Sequence, residues 1–198
     1  MQNRDDNVTE TPMNNKKQYM IKLTLLGDGA VGKTSIRQRY LGKGFKTELL
    51  PTLGADFATI EKVIGDNHIK FQIWDLGGQT QYKHVRPRFY KGCFGALLIF
   101  DVTRRESFMN LSNWLEELYT NNGKGTVPVI ILANKVDLEE QKSVTLEELK
   151  EFTDKLSEQT MKKNIKNFYL ETSAKTGLNI DKAFEIVADY IIKKFTEE

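Results

Sequence analysis

Several features of membrane, secreted and nucleic-acid-binding proteins are scarce or missing in this sequence. Its 198 residues include a single cysteine, Cys93, which excludes an internal disulfide and fits a reducing compartment. No apolar run approaches the roughly 18 residues that a membrane-spanning helix requires. Lysine and arginine number 29 against 27 aspartates and glutamates, with no basic block of the kind that nucleic acid demands. We therefore expect one globular domain, no transmembrane helix and no nucleic acid as a partner.

The two ends of the sequence also lack targeting signals. Residues 1–18 are polar and without apolar periodicity, so they predict a disordered tail rather than a signal peptide. Gln2 stands where N-myristoylation requires glycine, and the final segment, IIKKFTEE, has no cysteine for prenylation. The sequence thus shows no direct lipid anchor. It predicts a cytoplasmic protein that reaches a membrane only through a partner or a removed tail.

Between these ends, short apolar runs alternate with longer amphipathic stretches. The predicted strands are 19–26, 57–64, 69–75, 94–101, 127–134 and 167–171, and the predicted helices are about 33–41, 81–91, 105–120, 145–162 and 179–195. Gly65, Asp66 and Asn67 leave no room for a helix between two strands, which indicates an antiparallel hairpin. The pattern predicts an α/β fold: a six-stranded, mostly parallel sheet with one antiparallel hairpin strand and about five helices on both faces. A ligand site is expected at the carboxyl ends of the strands.

The stretch LLGDGAVGKTSI, residues 25–36, lies at such a strand end. Gly27, four further residues, then Gly32, Lys33 and Thr34 match the spacing of the phosphate-binding P-loop, between a strand and a helix. Glycines let backbone N–H groups turn toward phosphate oxygens, and the lysine adds a positive charge. The alternative is a glycine turn that opens a helix and leaves the lysine solvated, which the flanking strand disfavours.

Two further strand ends carry polar motifs, each ambiguous in isolation. In WDLGGQ, Asp75 could hold Mg²⁺ through water and Gln79 could orient an attacking water, although a common turn explains the residues equally well. In NKVD, Asp137 could accept from two nitrogens on one edge of guanine, a pair of donors that adenine lacks. A polar loop is the alternative for NKVD.

Five motifs together carry a family resemblance: GDGAVGKTS, the pair Pro51–Thr52, WDLGGQ, NKVD and ETSAK at 171–175. In this order and spacing the sequence resembles the small GTPases of the Ras superfamily, most closely the Rab and Ras branches, over residues 19–195. The resemblance implies a P-loop NTPase fold, with a single GTP-binding G domain over 19–198. It implies a GDP/GTP molecular switch in signalling or trafficking that binds guanine nucleotide with Mg²⁺ and slowly hydrolyses GTP. Gly77 makes the second switch DLGGQ, as in the Arf branch, and the extra glycine is expected to loosen it.

The resemblance also assigns roles to individual residues. It implies that Gln79, Lys33 and Thr52 are catalytic, and that Thr34, Thr52 and Asp75 hold the metal. The implied nucleotide-binding residues are Gly27, Asp28, Gly29, Ala30, Val31, Gly32, Lys33, Thr34, Ser35, Phe45, Thr52, Gly78, Asn134, Lys135, Asp137, Ser173, Ala174 and Lys175. Phe45 would stack on the base, and a loop residue tucked onto the core is its alternative reading.

Partners are implied only in kind. The first switch, TELLPT, has no arginine near Thr52, so slow intrinsic hydrolysis and an activating protein are expected, together with an exchange factor and effectors at the switch regions. The basic residues Lys83, His84, Arg86, Arg88 and Lys91 indicate a solvated face, with an acidic partner as the alternative. Two alternatives stay open: a non-hydrolysing GTP-binding scaffold and, disfavoured by NKVD and SAK, an ATP-using enzyme such as a small kinase.

Overall fold

The computed structural model describes residues 17–46 and 50–196 of the chain. Its strands are β1 (Gln18–Leu26), β2 (Ala55–Ile64), β3 (Asn67–Leu76), β4 (Gly95–Asp101), β5 (Val129–Asn134) and β6 (Phe168–Thr172). Its α-helices are α1 (Lys33–Tyr40), α2 (Pro87–Tyr90), α3 (Arg105–Met109), α4 (Leu111–Asn121), α5 (Leu146–Thr160) and α6 (Ile180–Thr196). Of the predicted disordered tail, residues 1–16 lie outside the described part, and Gln18 already belongs to β1.

The strands form one sheet in the order β2-β3-β1-β4-β5-β6, and this single six-stranded sheet confirms the predicted α/β fold. All neighbouring pairs are parallel except β2 and β3, which confirms the predicted antiparallel hairpin. β4 and β5 are buried along their whole length because helices cover both faces of the sheet. The carboxyl ends of β1, β3, β5 and β6 therefore meet at one edge, just before the predicted site motifs.

Two apolar cores lie on opposite faces of the sheet. On one face α1 and α6 pack together, and the rings of Tyr40 and Phe184 stack with centroids 3.6 Å apart. On the other face α4 and α5 cover β4 and β5, with Trp114 and Phe108 among the buried side chains. These layers hold the strand ends in fixed relative positions. No helix within 17–46 and 50–196 has the length and apolar character needed to cross a bilayer.

The helix predictions were mostly right, and the capping box of Thr145 and Glu148 is confirmed at the start of α5. The predicted helix at 81–91 was wrong. A 3-10 turn, Thr80–Tyr82, is followed by turns and then by the four-residue helix α2. Pro87 explains part of the break, because proline has no N–H with which to continue a preceding helix. The predicted helix at 105–120 is divided at Asn110, whose side chain donates to Asp28.

Candidate functional site

A cavity of about 550 Å³ opens at the carboxyl edge of the sheet, where the fold predicts a ligand site. It is lined by most of the predicted site residues: Gly29, Ala30, Gly32, Lys33, Thr34, Ser35, Phe45, Thr52, Gly78, Gln79, Asn134, Lys135, Asp137, Ala174 and Lys175. Lys46, Leu50, Pro51 and Leu138 complete the wall. The other predicted residues, Gly27, Asp28, Val31, Asp75 and Ser173, are not among the lining residues of this cavity. Residues from five separate parts of the sequence therefore share one space.

The phosphate-binding loop follows β1 and ends where α1 begins. Gly32 has a φ of 104°, and a Cβ there would lie 2.2 Å from Asn134 Nδ2, so only glycine fits. The next residue, Lys33, is buried and donates through Nζ to the carbonyl oxygens of Gly27 and Asp28, each at 2.7 Å. Burial lowers the pKa of Lys33 to about 8, against the opposing effects of Asp75 and Asp28. The loop thus curls around its own lysine.

Two hydroxyls and a buried carboxylate meet beside the loop. Thr34 Oγ1 donates to Asp75 Oδ2 at 2.5 Å and lies 3.0 Å from Thr52 Oγ1. Burial raises the pKa of Asp75, while the hydrogen bond from Thr34 and the charges of Lys33 and Arg37 act in the opposite direction. The second carboxylate oxygen, Asp75 Oδ1, is buried and has no hydrogen-bond partner.

This oxygen cluster fits a Mg²⁺ ion. Mg²⁺ holds its ligands at about 2.1 Å in octahedral geometry, which places neighbouring ligand oxygens about 3 Å apart. The two threonine hydroxyls have that separation, and Asp75 Oδ1 is a spare hard oxygen beside them. Residues 17–46 and 50–196 contain no cluster of three His, Cys, Asp or Glu side chains that could hold a metal. A cation here would therefore rely on hydroxyls, one carboxylate and oxygens brought by a ligand.

The opposite end of the cavity is a network of satisfied polar groups. Asn134 is almost fully buried; its Nδ2 donates to Val31 O at 2.8 Å, and its Oδ1 accepts from Ala174 N at 3.2 Å. Asp137 Oδ1 accepts from Ser173 Oγ at 2.5 Å. Asn134 thus ties the phosphate-binding loop to the SAK segment, whereas Asp137 lines the cavity.

Two longer side chains, those of Lys135 and Phe45, also line the cavity. Lys135 adopts a left-handed φ of 70°, and its Nζ lies 2.7 Å from Asp101 Oδ2. Phe45 also lines the cavity and is 40% exposed, so it is not tucked into the core. Its ring is available to cover a planar ligand.

The second switch segment is held more firmly than the extra glycine suggests. Gly77 N donates to Gly54 O at 2.8 Å, and Gly77 O accepts from Arg86 Nη1 at 3.2 Å. A Cβ at Gly77 would lie 2.8 Å from Thr52 O and 2.8 Å from Tyr82 Cδ2. The glycine therefore allows close backbone contact between the two switch segments, and its own peptide is fixed on both sides.

A buried ion pair behind this segment was not predicted. Arg86 donates to both carboxylate oxygens of Glu117 at 2.7 and 2.8 Å, and Tyr90 Oη donates to Glu117 at 2.8 Å. Arg86 Nη1 also donates to Gln79 O at 3.1 Å, and its guanidinium lies 4.3 Å from the Trp114 ring centre. Arg86 thereby connects the backbone of the segment carrying Gln79 to α4.

Three side chains that donate hydrogen bonds to the phosphate-binding loop were also not predicted. Trp114 Nε1 and Asn110 Nδ2 donate to the two carboxylate oxygens of Asp28 at 2.8 and 2.9 Å. Arg104 Nη2 donates to Gly29 O at 2.7 Å. These contacts join positions 75 to 86 residues apart in sequence, and no local spacing indicates them.

Comparison with known proteins agrees with this geometry. The Ras family model matches residues 22–193. The Ras-related protein RABA4a of Arabidopsis thaliana is 39% identical over 172 residues, which cover 87% of this chain and 72% of that protein. The Ras-related protein Rab-17 of Homo sapiens is 37% identical over 179 residues, covering 90% of this chain and 80% of that protein. The chain therefore belongs to the Ras family and is a Rab-like small GTPase.

Proposed function

We propose that this GTPase binds GTP with Mg²⁺ in the described cavity, hydrolyses it slowly, and acts as a timed switch in membrane trafficking. The observation that carries the proposal is the meeting of Thr34, Thr52 and Asp75 beside the phosphate-binding loop, with hydroxyl oxygens 3.0 Å apart and a spare buried carboxylate oxygen. Thr52 comes from the first switch, so its presence beside Thr34 supports a segment that responds to the bound nucleotide.

In this proposal Thr34, Thr52 and Asp75 hold the metal, Asp75 through water. When bound, Mg²⁺ neutralises charge that builds up on the phosphate oxygens. Lys33 supplies a second positive charge. When it donates to phosphate oxygens instead of the Gly27 and Asp28 carbonyls, two neutral acceptors are replaced by anionic ones, which form stronger hydrogen bonds. The N–H groups of the loop and of Gly78 bind the remaining oxygens.

Gln79 is the proposed water-positioning residue. Its side chain lines the cavity, and its Oε1 accepts from Gln81 Nε2 at 3.0 Å, a single exposed contact that leaves it free to turn. The network through Arg86 fixes its backbone carbonyl. The segment therefore combines an anchored main chain with a proposed catalytic side chain that makes a single exposed hydrogen bond.

Guanine specificity is assigned to Asp137, whose Oδ1 is oriented by Ser173. A carboxylate accepts hydrogen bonds from two N–H donors, and guanine offers two on one edge. Phe45 and the stem of Lys135 would cover the two faces of the base. Adenine would offer Asp137 no such pair of donors, and a carboxylate in a partly desolvated site that lacks donors from the base is costly.

Slow hydrolysis follows from the engagement of the nearby arginines. Arg37, Arg86 and Arg104 bind Asp56, Glu117 and Gly29 O, respectively. An arginine supplied in trans contributes roughly 10³ to 10⁵ in rate. We therefore propose an activating protein that inserts an arginine, and an exchange factor that opens the first switch.

An apolar surface beside both switches supports effector binding. The rings of Phe57, Trp74 and Phe89 lie in a row, with centroids 4.8 and 5.2 Å apart, and Phe57 is 44% exposed. Leu53 and Val85 extend the exposed apolar area on the two switch segments. Such a surface favours a protein partner. The similarity to Rab proteins supports a trafficking role, at membranes reached through a partner or a further tail.

Single-turnover GTP hydrolysis with Mg²⁺, comparing wild type with Gln79→Leu, tests the proposal. We expect slow hydrolysis that falls at least tenfold further in the variant, with GTP affinity unchanged, because the glutamine acts in the transition state. Gln159→Leu, an exposed change on α5 outside the lining of the cavity, is the control. GTP binding without hydrolysis in either protein would favour the non-hydrolysing scaffold. Stronger displacement of bound GDP by ADP than by GDP itself would favour an ATP-using enzyme.

A further inference from the structure

Arg37 is a buried cation immediately behind the proposed metal site. It lies on α1, one helical turn after Lys33, and its side chain is 7% exposed. Its Nε lies 3.7 Å from Asp75 Oδ2, and that nitrogen has no hydrogen-bond partner. The guanidinium is therefore close to Asp75 but donates no hydrogen bond to it.

The other side of the same guanidinium faces the first switch. Arg37 Nη2 forms an ion pair with Asp56 Oδ2, and Asp56 stands four positions after Thr52 at the start of β2. Asp56 Oδ1 accepts from Phe57 N at 2.8 Å, which orients the carboxylate. Arg37 also lines a small cleft together with Thr34, Thr52 and Asp56. One side chain thus connects α1, the metal-side carboxylate and the first switch.

We propose that Arg37 is a positioning residue with two opposed effects: it anchors the first switch through Asp56, and its charge beside Asp75 weakens Mg²⁺ binding. This inference rests on the metal site of the proposed function. A fixed positive charge several ångströms from a divalent cation raises the free energy of the bound ion, and burial strengthens the effect because less water screens the charges. Coupling between two bound cations is reciprocal, so Mg²⁺ also loosens the hold of Arg37 on Asp75.

The consequence concerns how much free Mg²⁺ the switch needs to retain its nucleotide. With Mg²⁺ absent, Arg37 still neutralises part of the charge of Asp75 and still holds Asp56. Compared with an uncharged residue at position 37, the native arginine therefore requires more free Mg²⁺ for full retention of nucleotide.

The test measures release of N-methylanthraniloyl-GDP from the full chain as a function of free Mg²⁺, set with EDTA. The readout is the free Mg²⁺ concentration at which release is half-suppressed. Arg37→Gln and Asp56→Asn both break the ion pair, but they change the local charge in opposite directions. Arg37→Lys keeps the positive charge but loses the planar guanidinium that faces Asp56 and Asp75 at the same time. Lys70→Gln, from the exposed pair with Glu61, makes the same charge change as Arg37→Gln far from the cavity.

We expect Arg37→Gln to lower the half-point at least tenfold, the scale of one charge about 6 Å from a divalent ion even when it is screened as fully as in water. Asp56→Asn should raise it several-fold, and Arg37→Lys and Lys70→Gln should leave it within about twofold. Shifts of equal sign and size in Arg37→Gln and Asp56→Asn would overturn the proposal, since they would reflect the broken ion pair alone.

Folding of each variant is checked by thermal unfolding. If Arg37→Gln does not fold, Arg37→Lys and Asp56→Asn still decide, because a purely structural role predicts the same shift in both. Release from wild type that does not depend on Mg²⁺ at all would instead overturn the proposed metal site itself. The failure of the inference and the failure of the proposed function are thus separate results.

Discussion

The two ends of the cavity differ in how their side chains are held. At the base end, Asn134, Asp137 and Ser173 are tied to each other or to neighbouring segments by hydrogen bonds, and Asn134 and Ser173 are buried. At the end where the terminal phosphate would lie, Gln79 has one exposed side-chain contact, and Leu50 and Leu53 beside Thr52 are 91% and 79% exposed.

In the proposed function, this difference separates base recognition from switching. A satisfied buried network is costly to rearrange, so the base end keeps one geometry whichever nucleotide is bound. A segment with few buried contacts moves at a low free-energy cost, so a single added phosphate can change its position. The buried pair of Arg86 and Glu117 lies at the boundary between the firmly held and the loosely held parts of the cavity. Arg86 fixes the backbone of Gln79 but not its side chain.

The largest expected effect comes from breaking the base end with Asp137→Asn. The amide presents a donor where guanine also donates, so two charge-assisted hydrogen bonds are lost, and GDP affinity should fall about 10³-fold. Xanthine has an oxygen in place of the amino group, so xanthosine diphosphate should bind the variant better than GDP does. Competition titrations measure both, and Asp154→Asn on the exposed face of α5 is the control. Unchanged preference for GDP would remove Asp137 from base recognition.

Breaking the boundary with Glu117→Gln should destabilise the fold by about 3 kcal/mol, because it leaves the Arg86 charge buried and unpaired. The pKa of Glu117 lies below its usual 4.5, since hydrogen bonds from Arg86 and Tyr90 outweigh the opposing effect of burial. Its stabilising contribution is present above pH 4.5 and is lost as the pH falls through the folded-state value. Urea unfolding at pH 7 and pH 3 should therefore show a gap between variant and wild type that narrows in acid. A gap of equal size at both pH values would contradict this assignment.

A smaller effect, confined to the switch end, is expected for Gly77→Ala. The added Cβ would meet Thr52 O and Tyr82 Cδ2 at 2.8 Å, which costs about 1 to 2 kcal/mol when the two switches pack together. Affinity for a non-hydrolysable GTP analogue should fall about tenfold, while GDP affinity stays within about twofold. Equal losses for both nucleotides would mean that the contact of Gly77 with the first switch is not specific to the GTP state.

The smallest predicted change sharpens the comparison at the base end. Phe45 is its exposed aromatic side chain, and base stacking on an aromatic ring contributes about 1 to 3 kcal/mol when fully formed. Phe45→Leu keeps apolar cover but loses the ring, so release of fluorescent GDP should quicken about fivefold without a change in the temperature of unfolding. An unchanged release rate would restore the reading of Phe45 as a simple loop residue.

Much of the fold was accessible from local patterns. Apolar runs predicted all six strands within a few residues, because buried strands such as β4 and β5 need a continuous apolar sequence and half-buried ones such as β2 need an alternating one. The capping box of Thr145 and Glu148 predicted the start of α5 correctly for an equally local reason. Prediction failed at 81–91, where the amphipathic spacing suggests a helix but Pro87 and the pull of Arg86 toward Gly77 and Gln79 favour turns.

The sequence by itself determined the phosphate-binding loop, the succession of strands and helices along the chain and the residue types of the candidate site. Each of these depends on residue types at short spacing, such as glycines beside Lys33 and Thr34. Only the tertiary structure decided which side chains hold that site in place: Trp114 on Asp28, Glu117 on Arg86 and Arg37 between Asp56 and Asp75. These pairs are brought together by the packing of helices on the sheet, and a contact between distant segments leaves no periodic signal in the chain.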